Sequence, residues 1–231
     1  MVIEPREPSE KFVRALSFGS VAENYERHRL GYPNELVDAV RRYVERPVCT
    51  ALEVGAGTGK ATQLFAARGV EVTALEPDAE MVKVLERVTH GLPVRPVVAT
   101  FEQFRTESHF DLVYAAAAWH WTSPETRWTH AVELLAPGGV FALFGSQAEL
   151  KDPDLCAAVE EIEKRVLADD ESVDVHPWSI EEMATVSAYL KLAPERRAET
   201  LRQVRAALPD QVDIDTTVQL CLARRVDRSV R

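Results

Sequence analysis

A chain of 231 residues, 46% of them hydrophobic, can build one α/β domain with added helices, and that composition excludes wholesale disorder. Its formal net charge of −10 argues against a nucleic-acid partner, which is gripped through clustered Lys and Arg. With no signal-peptide core at its start and no apolar run near the ~20 residues that span a bilayer, it reads as cytoplasmic, with no membrane partner.

Residues 1–16 are charged and contain proline, so a frayed tail is expected. Ser20 is placed to cap a helix carrying Val21 and Tyr25 on one face, and Gly31-Tyr32-Pro33 breaks it. Asn34 is placed to cap a second helix with Leu36, Val37, Val40 and Val44 at helical spacing, ending before Pro47. Alternating strands and helices follow. Strands are expected at 48–54, 70–75, 94–99, 110–116 and 140–144. Between them lie helices at 61–68, after Asp78 as cap, and at 128–135, the last followed by a Pro137-Gly138-Gly139 turn. The rhythm predicts a parallel, doubly wound sheet. Beyond residue 150 come helices at 153–167, 180–192 and 195–208, an acidic loop at 168–171 and a final strand at 218–222. Cys49, Cys156 and Cys221 have neither paired nor metal-ligand spacing, so reduced thiols, core or partly buried, and no metal are expected.

The chemistry gathers after the first strand, where an apolar run stops at Gly55, Gly57 and Gly59. Glycines let the chain turn tightly and bring backbone N–H groups close to a ligand, with a helix start aimed at the same spot. A dinucleotide loop would carry a small residue at the third glycine position of G-x-G-x-x-G, but here Lys60 stands there. Glu53 beneath the loop suits a ligand with an amino group and a sulfonium better than a pyrophosphate.

Glu53-Val54-Gly55-Ala56-Gly57-Thr58-Gly59 resembles the first motif of the class I S-adenosylmethionine-dependent methyltransferases. Leu75-Glu76-Pro77-Asp78 is similar to the second, Phe110-Asp111-Leu112-Val113-Tyr114 running into Trp119-His120-Trp121 to the strand 4 motif, and Leu134-Leu135-Ala136-Pro137-Gly138-Gly139 to the turn before strand 5. Together they cover roughly residues 17–146. The resemblance implies a Rossmann-like sheet in the order 3-2-1-4-5-7-6, with strand 7 at 218–222. Strand 6 is short or missing, confined to residues 172–178 unless unseen chain lies between Ala168 and Trp178. It implies one domain over 1–231: a cofactor core and N-terminal cap at 17–146, a helical acceptor-pocket insertion at 147–210, and a final strand and tail at 211–231. The N-terminal and post-strand-5 helices would form a substrate lid.

The same resemblance implies S-adenosyl-L-methionine as cofactor and a small-molecule methyl acceptor at oxygen or nitrogen. Gly55, Gly57 and Gly59 would close on the methionine half. Glu53 either orients the amino group or bonds loop N–H groups as a structural acid. Glu76, followed by Pro77, would accept the ribose hydroxyls. Met81 either lies against the adenine or packs in the core. Thr100 stands where the family often has an acid for the adenine amino group, leaving that contact to Phe101 and the backbone. Ala116 and Trp119 end strand 4 beside the sulfonium, and His120 is the candidate general base. Tyr25 and Arg29 match a segment that reaches the cofactor carboxylate or the substrate, with Leu30 where proline is common. His176, Trp178 and Tyr189 are acceptor-pocket candidates. The alternative is a catalytically silent cofactor-binding module. A nicotinamide oxidoreductase is disfavoured by Lys60, and a nucleic-acid methyltransferase by the absent Asn/Asp-Pro-Pro-aromatic motif.

Overall fold

The computed structural model describes residues 16–166 and 180–226. A 3₁₀ turn at Leu16–Val21 leads into α1 (Ala22–His28) and α2 (Asn34–Val44). The central alternation is β1 (Thr50–Val54), α3 (Lys60–Ala66), β2 (Glu71–Glu76), α4 (Ala79–Val88), β3 (Val94–Val98), β4 (Phe110–Ala116), α5 (Arg127–Leu134) and β5 (Leu135–Leu150). Helices α6 (Pro153–Val166), α7 (Ile180–Met183), α8 (Ser187–Leu190) and α9 (Pro194–Ala207) precede β6 (Ile214–Arg224).

Among the described residues the sheet has six strands in the order β3-β2-β1-β4-β5-β6. The first five run parallel, and β6 lies antiparallel to β5, in the place expected for strand 7. The expected strand 6 at 172–178, the acidic loop at 168–171 and the chain-continuity question between Ala168 and Trp178 fall outside the described residues.

Strand β5 is much longer than 140–144. Pro137-Gly138-Gly139 is absorbed as a bulge, since Phe110 pairs with Leu135 while Leu112 pairs with Val140. At the other end β5 stops pairing with β4 at Phe144 but continues with β6 out to Leu150 opposite Ile214.

Two apolar layers hold the sheet. Val37, Val40 and Val44 of α2 and Phe65 of α3 pack with Leu112, Tyr114, Val140 and Phe144. On the opposite face Leu52, Val54, Val113 and Phe141 meet Trp119, Ala131 and Leu134. The alternation of β4 supplies both layers, which is why it reads as continuously apolar. Each fully buried valine of α2 contributes on the order of 1.5–3 kcal/mol by leaving water. A third cluster, with Val159, Ile162, Met183, Tyr189 and Val204, joins α6 to α9.

Some local expectations need correction. Ser20 does not cap α1: its hydroxyl donates to the Ser17 carbonyl, and Val21 sits at the cap without a side-chain bond. Asn34 is the first residue inside α2, with Pro33 at the cap, and its side-chain amide oxygen accepts from Arg68 instead. Asp78 caps α4, accepting from the N–H groups of Glu80 and Met81. The single helix expected at 180–192 is two short ones, broken where the Thr185 hydroxyl donates to the Glu182 carbonyl. Cys49 and Cys221 are exposed rather than buried, Cys221 lying on the outward face of β6, while Cys156 is half-buried.

Candidate functional site

The glycine loop leaves β1 with Gly55, Gly57 and Gly59 at φ of 69°, 56° and 96°, all in the left-handed region. A Cβ on Gly55 would stand 2.5 Å from the Ala118 Cβ, and one on Gly59 would stand 2.6 Å from Leu85 Cδ1. The loop is thus wedged between the end of β4 and α4.

Two buried carboxylates brace it. Glu76, ending β2, accepts from the Gly57 N–H through Oε2 (2.9 Å) and from the Asp78 N–H through Oε1 (3.0 Å). Glu53 instead takes the hydroxyls of Thr62 (2.5 Å) and Tyr114 (2.9 Å), both on Oε2. Its structural bonds therefore go to side chains, not to the loop N–H groups. Burial pushes each carboxyl up to about 7, against the hydrogen bonds that favour the charged forms.

The N-terminal segment lies against this loop. The Gly19 N–H donates to Asp78 Oδ2 (3.1 Å), and a Cβ on Gly19 would fall 2.3 Å from that carboxylate, so only glycine fits there. Lys60, which ruled out the dinucleotide loop, donates to Glu26 Oε1 (3.1 Å) and to the Glu26 carbonyl. Tyr25 packs on Phe18 and lies under the Arg29 guanidinium, 5.1 Å from its ring centre. Burial raises the Tyr25 hydroxyl, Arg29 opposes, and Glu76, Glu182 and Glu26 add to the rise, so these charges surround it. Arg29 reaches across to the helices after β5, donating to Glu182 Oε1 (3.2 Å) and Thr185 Oγ1 (3.1 Å).

Past β4 the chain makes a strained step. Ala117 has φ of 52°, an uncommon conformation for a residue with a Cβ. Trp119–Trp121 then forms a 3₁₀ turn. Trp119 is buried among Phe101, Trp128 and Phe141, while Trp121 packs on Phe18 of the N-terminal segment, ring centres 6.1 Å apart. His120 is exposed, its ring 4.5 Å from that of Trp121.

Tyr25, Glu53, Glu76 and the three glycines are therefore brought together, with the half-buried Pro77 between Glu76 and its Asp78 partner. Ala116 pairs with Phe144 at the sheet's carboxyl end. Met81 is in core contact with Ala22, Val84 and the rings of Phe18 and Tyr25. Thr100 spends its hydroxyl on the Gln103 N–H, and Phe101 is buried against His130. Tyr189 is wholly buried, donating to Glu163 at 2.6 Å. His176 and Trp178 lie outside the described residues. Sequence reasoning missed Gly19, Thr62, Tyr114, Ala117 and Glu182. Only the hydroxyl placed in the apolar run of β4 was a visible signal.

The residues fit a ligand rich in donors. Among the described residues the buried Thr58 Oγ1 and Glu26 Oε2 have no hydrogen-bond partner, and both lie on the loop or the segment covering it. Glu53 Oε1 likewise takes no bond. Each Glu76 oxygen, with one bond, has a further lone pair free to accept.

Residues 52–143 match a family described as a methyltransferase domain. An uncharacterized methyltransferase of Mycobacterium tuberculosis is 37% identical over 131 residues, 56% of this chain and 51% of that protein. A malonyl-[acyl-carrier protein] O-methyltransferase of Enterobacter lignolyticus is 29% identical over 68% of this chain and 62% of its own length. The chain thus spans about half the length of the mycobacterial relatives it matches. A solved chain from Anaeromyxobacter dehalogenans, provisionally described as a type II methyltransferase, shares the fold with a TM-score of 0.59 at 21% identity, covering 85% of this chain and 97% of that one. No helix among the described residues is long and apolar enough to cross a membrane. The glycine loop, the acid that ends β2 and the sheet order agree with the match over residues 52–143, and together they support a class I methyltransferase with S-adenosyl-L-methionine as cofactor.

Proposed function

We propose that this protein moves a methyl group to an oxygen or nitrogen of a small molecule. The observation that carries the reading is the Arg29 bridge. It ties the N-terminal segment to α7 and to Thr185, an arrangement in which both segments would close over the loop. A closed cap suits a compact acceptor, and a net charge of −10 suits RNA or DNA poorly. The name of the Enterobacter relative, an O-methyltransferase, supports oxygen.

Gly55, Gly57 and Gly59 would hold the methionine half through their backbone, with Glu53 and Tyr25 at its amino end and Arg29 near its carboxylate. Glu76 would accept the ribose hydroxyls, with Pro77 and Met81 below. Thr100, Phe101, Ala116 and Trp119 would act as walls of the adenine and sulfur pocket. When bound, S-adenosyl-L-methionine supplies a methyl made electrophilic by its sulfonium. The chain's own task is to orient the acceptor, exclude water and take up a proton. His120, exposed beside Trp121, would take it. Residues 1–231 would act as one cytoplasmic unit, with 147–210 shaping the acceptor pocket.

The test is transfer from labelled cofactor across phenols, alcohols, carboxylic acids, amines and RNA. Transfer to a small molecule supports the reading, and transfer to RNA alone overturns it. For a phenol or alcohol, His120→Ala is expected to lose ~10²–10⁴ in rate, and a loss below about tenfold removes His120 as base.

A further inference from the structure

Tyr114 stands in the middle of β4 at a position where the core wants only an apolar ring. It is fully buried, directly beside Glu53 in the β1–β4 register. Its ring stacks on Phe144 (5.8 Å between centres, 17° between planes) and packs against Phe65 (4.6 Å). Phe would fill that slot equally well without a buried hydroxyl to satisfy. The hydroxyl has one destination, Glu53 Oε2 at 2.9 Å, where Thr62 Oγ1 also donates at 2.5 Å. Both bonds fall on the same oxygen. Rotating the carboxylate would break both, while among the described residues Oε1 takes no hydrogen bond. Glu53 is only 1% exposed, and among the described residues no cation is bonded to it. Two hydroxyl dipoles thus do the work of a counter-charge while leaving one oxygen free.

We propose that Tyr114 is a positioning residue for cofactor recognition: with Thr62 it pins Glu53 so that Oε1 is held out to accept from the cofactor's amino group. This rests on the reading of Glu53 as the amino-group acceptor. The motif acid then works because the Tyr114 hydroxyl in β4, with that of Thr62, fixes its rotamer and favours its ionised form. A ligand without an amino group gains nothing from the arrangement.

The full chain is titrated calorimetrically with S-adenosylhomocysteine and with 5′-methylthioadenosine, which keeps the nucleoside and the thioether but lacks the amino acid. Tyr114→Phe is expected to weaken S-adenosylhomocysteine binding by about tenfold or more, the scale of one bond to a charged group, and to leave 5′-methylthioadenosine within about twofold. The pH midpoint of S-adenosylhomocysteine binding moves upward, because a donor that favoured the carboxylate is gone. Equal losses for both ligands, or no loss for either, overturn the proposal. If Tyr114→Phe does not fold, Thr62→Val carries the same comparison by removing the other donor. Glu53→Gln separates the two levels. If it leaves the ratio of the two affinities unchanged, the reading of Glu53 falls, and this inference with it. If it changes that ratio while Tyr114→Phe and Thr62→Val do not, this inference falls alone.

Discussion

Replacing Glu53 by Gln is expected to stabilise the ligand-free protein above neutral pH and to leave it unchanged near pH 5. Burial holds this carboxyl at about 7 in the folded chain, against an ordinary 4.5 when exposed. Between those values the folded protein keeps a proton that the unfolded chain has released. Stability therefore falls as pH rises through that window, and the loss is complete above about 7. At about 1.4 kcal/mol per unit, a difference of about 2.5 units amounts to about 3 kcal/mol at pH 8. Gln removes the titration while keeping the shape. Its single carbonyl oxygen can accept both hydroxyls, because Thr62 and Tyr114 converge on one atom. For a chain of this size, about 3 kcal/mol corresponds to about 6–12 °C in Tm. Unfolding of the two ligand-free proteins between about pH 5 and pH 8.5 reads this out. The wild type should weaken steeply, and the variant should keep only the slope due to Glu76, itself raised to about 7 by burial. Parallel pH curves for the two proteins would refute the reasoning.

Gly19→Ala drives a Cβ into the Asp78 carboxylate, so the N-terminal segment is expected to lift. Limited proteolysis should then cut near residue 19 faster, and S-adenosylhomocysteine should bind more weakly, at a stability loss of about 1–3 kcal/mol. Gly55→Ala combines a left-handed φ with a 2.5 Å approach to Ala118, and calorimetry is expected to show cofactor binding abolished. Glu182→Ala strands the Arg29 guanidinium, whose side chain is one-fifth exposed. Denaturant unfolding is expected to show a loss near the low end of the buried-pair range, about 3 kcal/mol, and Arg29→Met with Glu182→Leu should recover most of it. Ala117→Gly releases a strained φ of 52° and is expected to raise stability by about 1 kcal/mol in the same assay.

The legible parts of the chain were those with local causes. Asp78 as a cap, the bounds of β4 and the left-handed glycines each follow from a residue and its immediate neighbours. The failures share a different character. Ser20 and Asn34 are good capping residues, but distant chemistry decided Asn34, since Arg68 approaches from α3's far end. Of two tryptophans two residues apart, the 3₁₀ turn buries Trp119 in the core and leaves Trp121 to meet Phe18. Nothing in Trp-His-Trp says which one serves the site. Ala117 gave no warning, because a strained alanine is held by its surroundings and not by its own preference.

The site differs from the core in how its charges are treated. Asp78 and Glu26 have bonds from backbone or lysine that fold and site both use. Glu53 and Glu76 are buried with hydrogen bonds alone, and each would be easier to fold if neutral. A sequence selected for stability alone would place Gln or an apolar residue there, as core substitutions of that kind are often neutral or stabilising. Two adjacent acids that weaken the ligand-free fold make sense when something bound repays their ionisation. An amino group and a pair of ribose hydroxyls are donors of the right kind. On the proposed roles of Glu53 and Glu76, the cost carried by the empty protein would be the physical counterpart of its selectivity for that ligand. Loss of stability with rising pH and gain of cofactor affinity with rising pH should accordingly both level off at one pH, near 7. Curves that level off at different pH values would mean that the acids which strain the fold are not those which hold the cofactor.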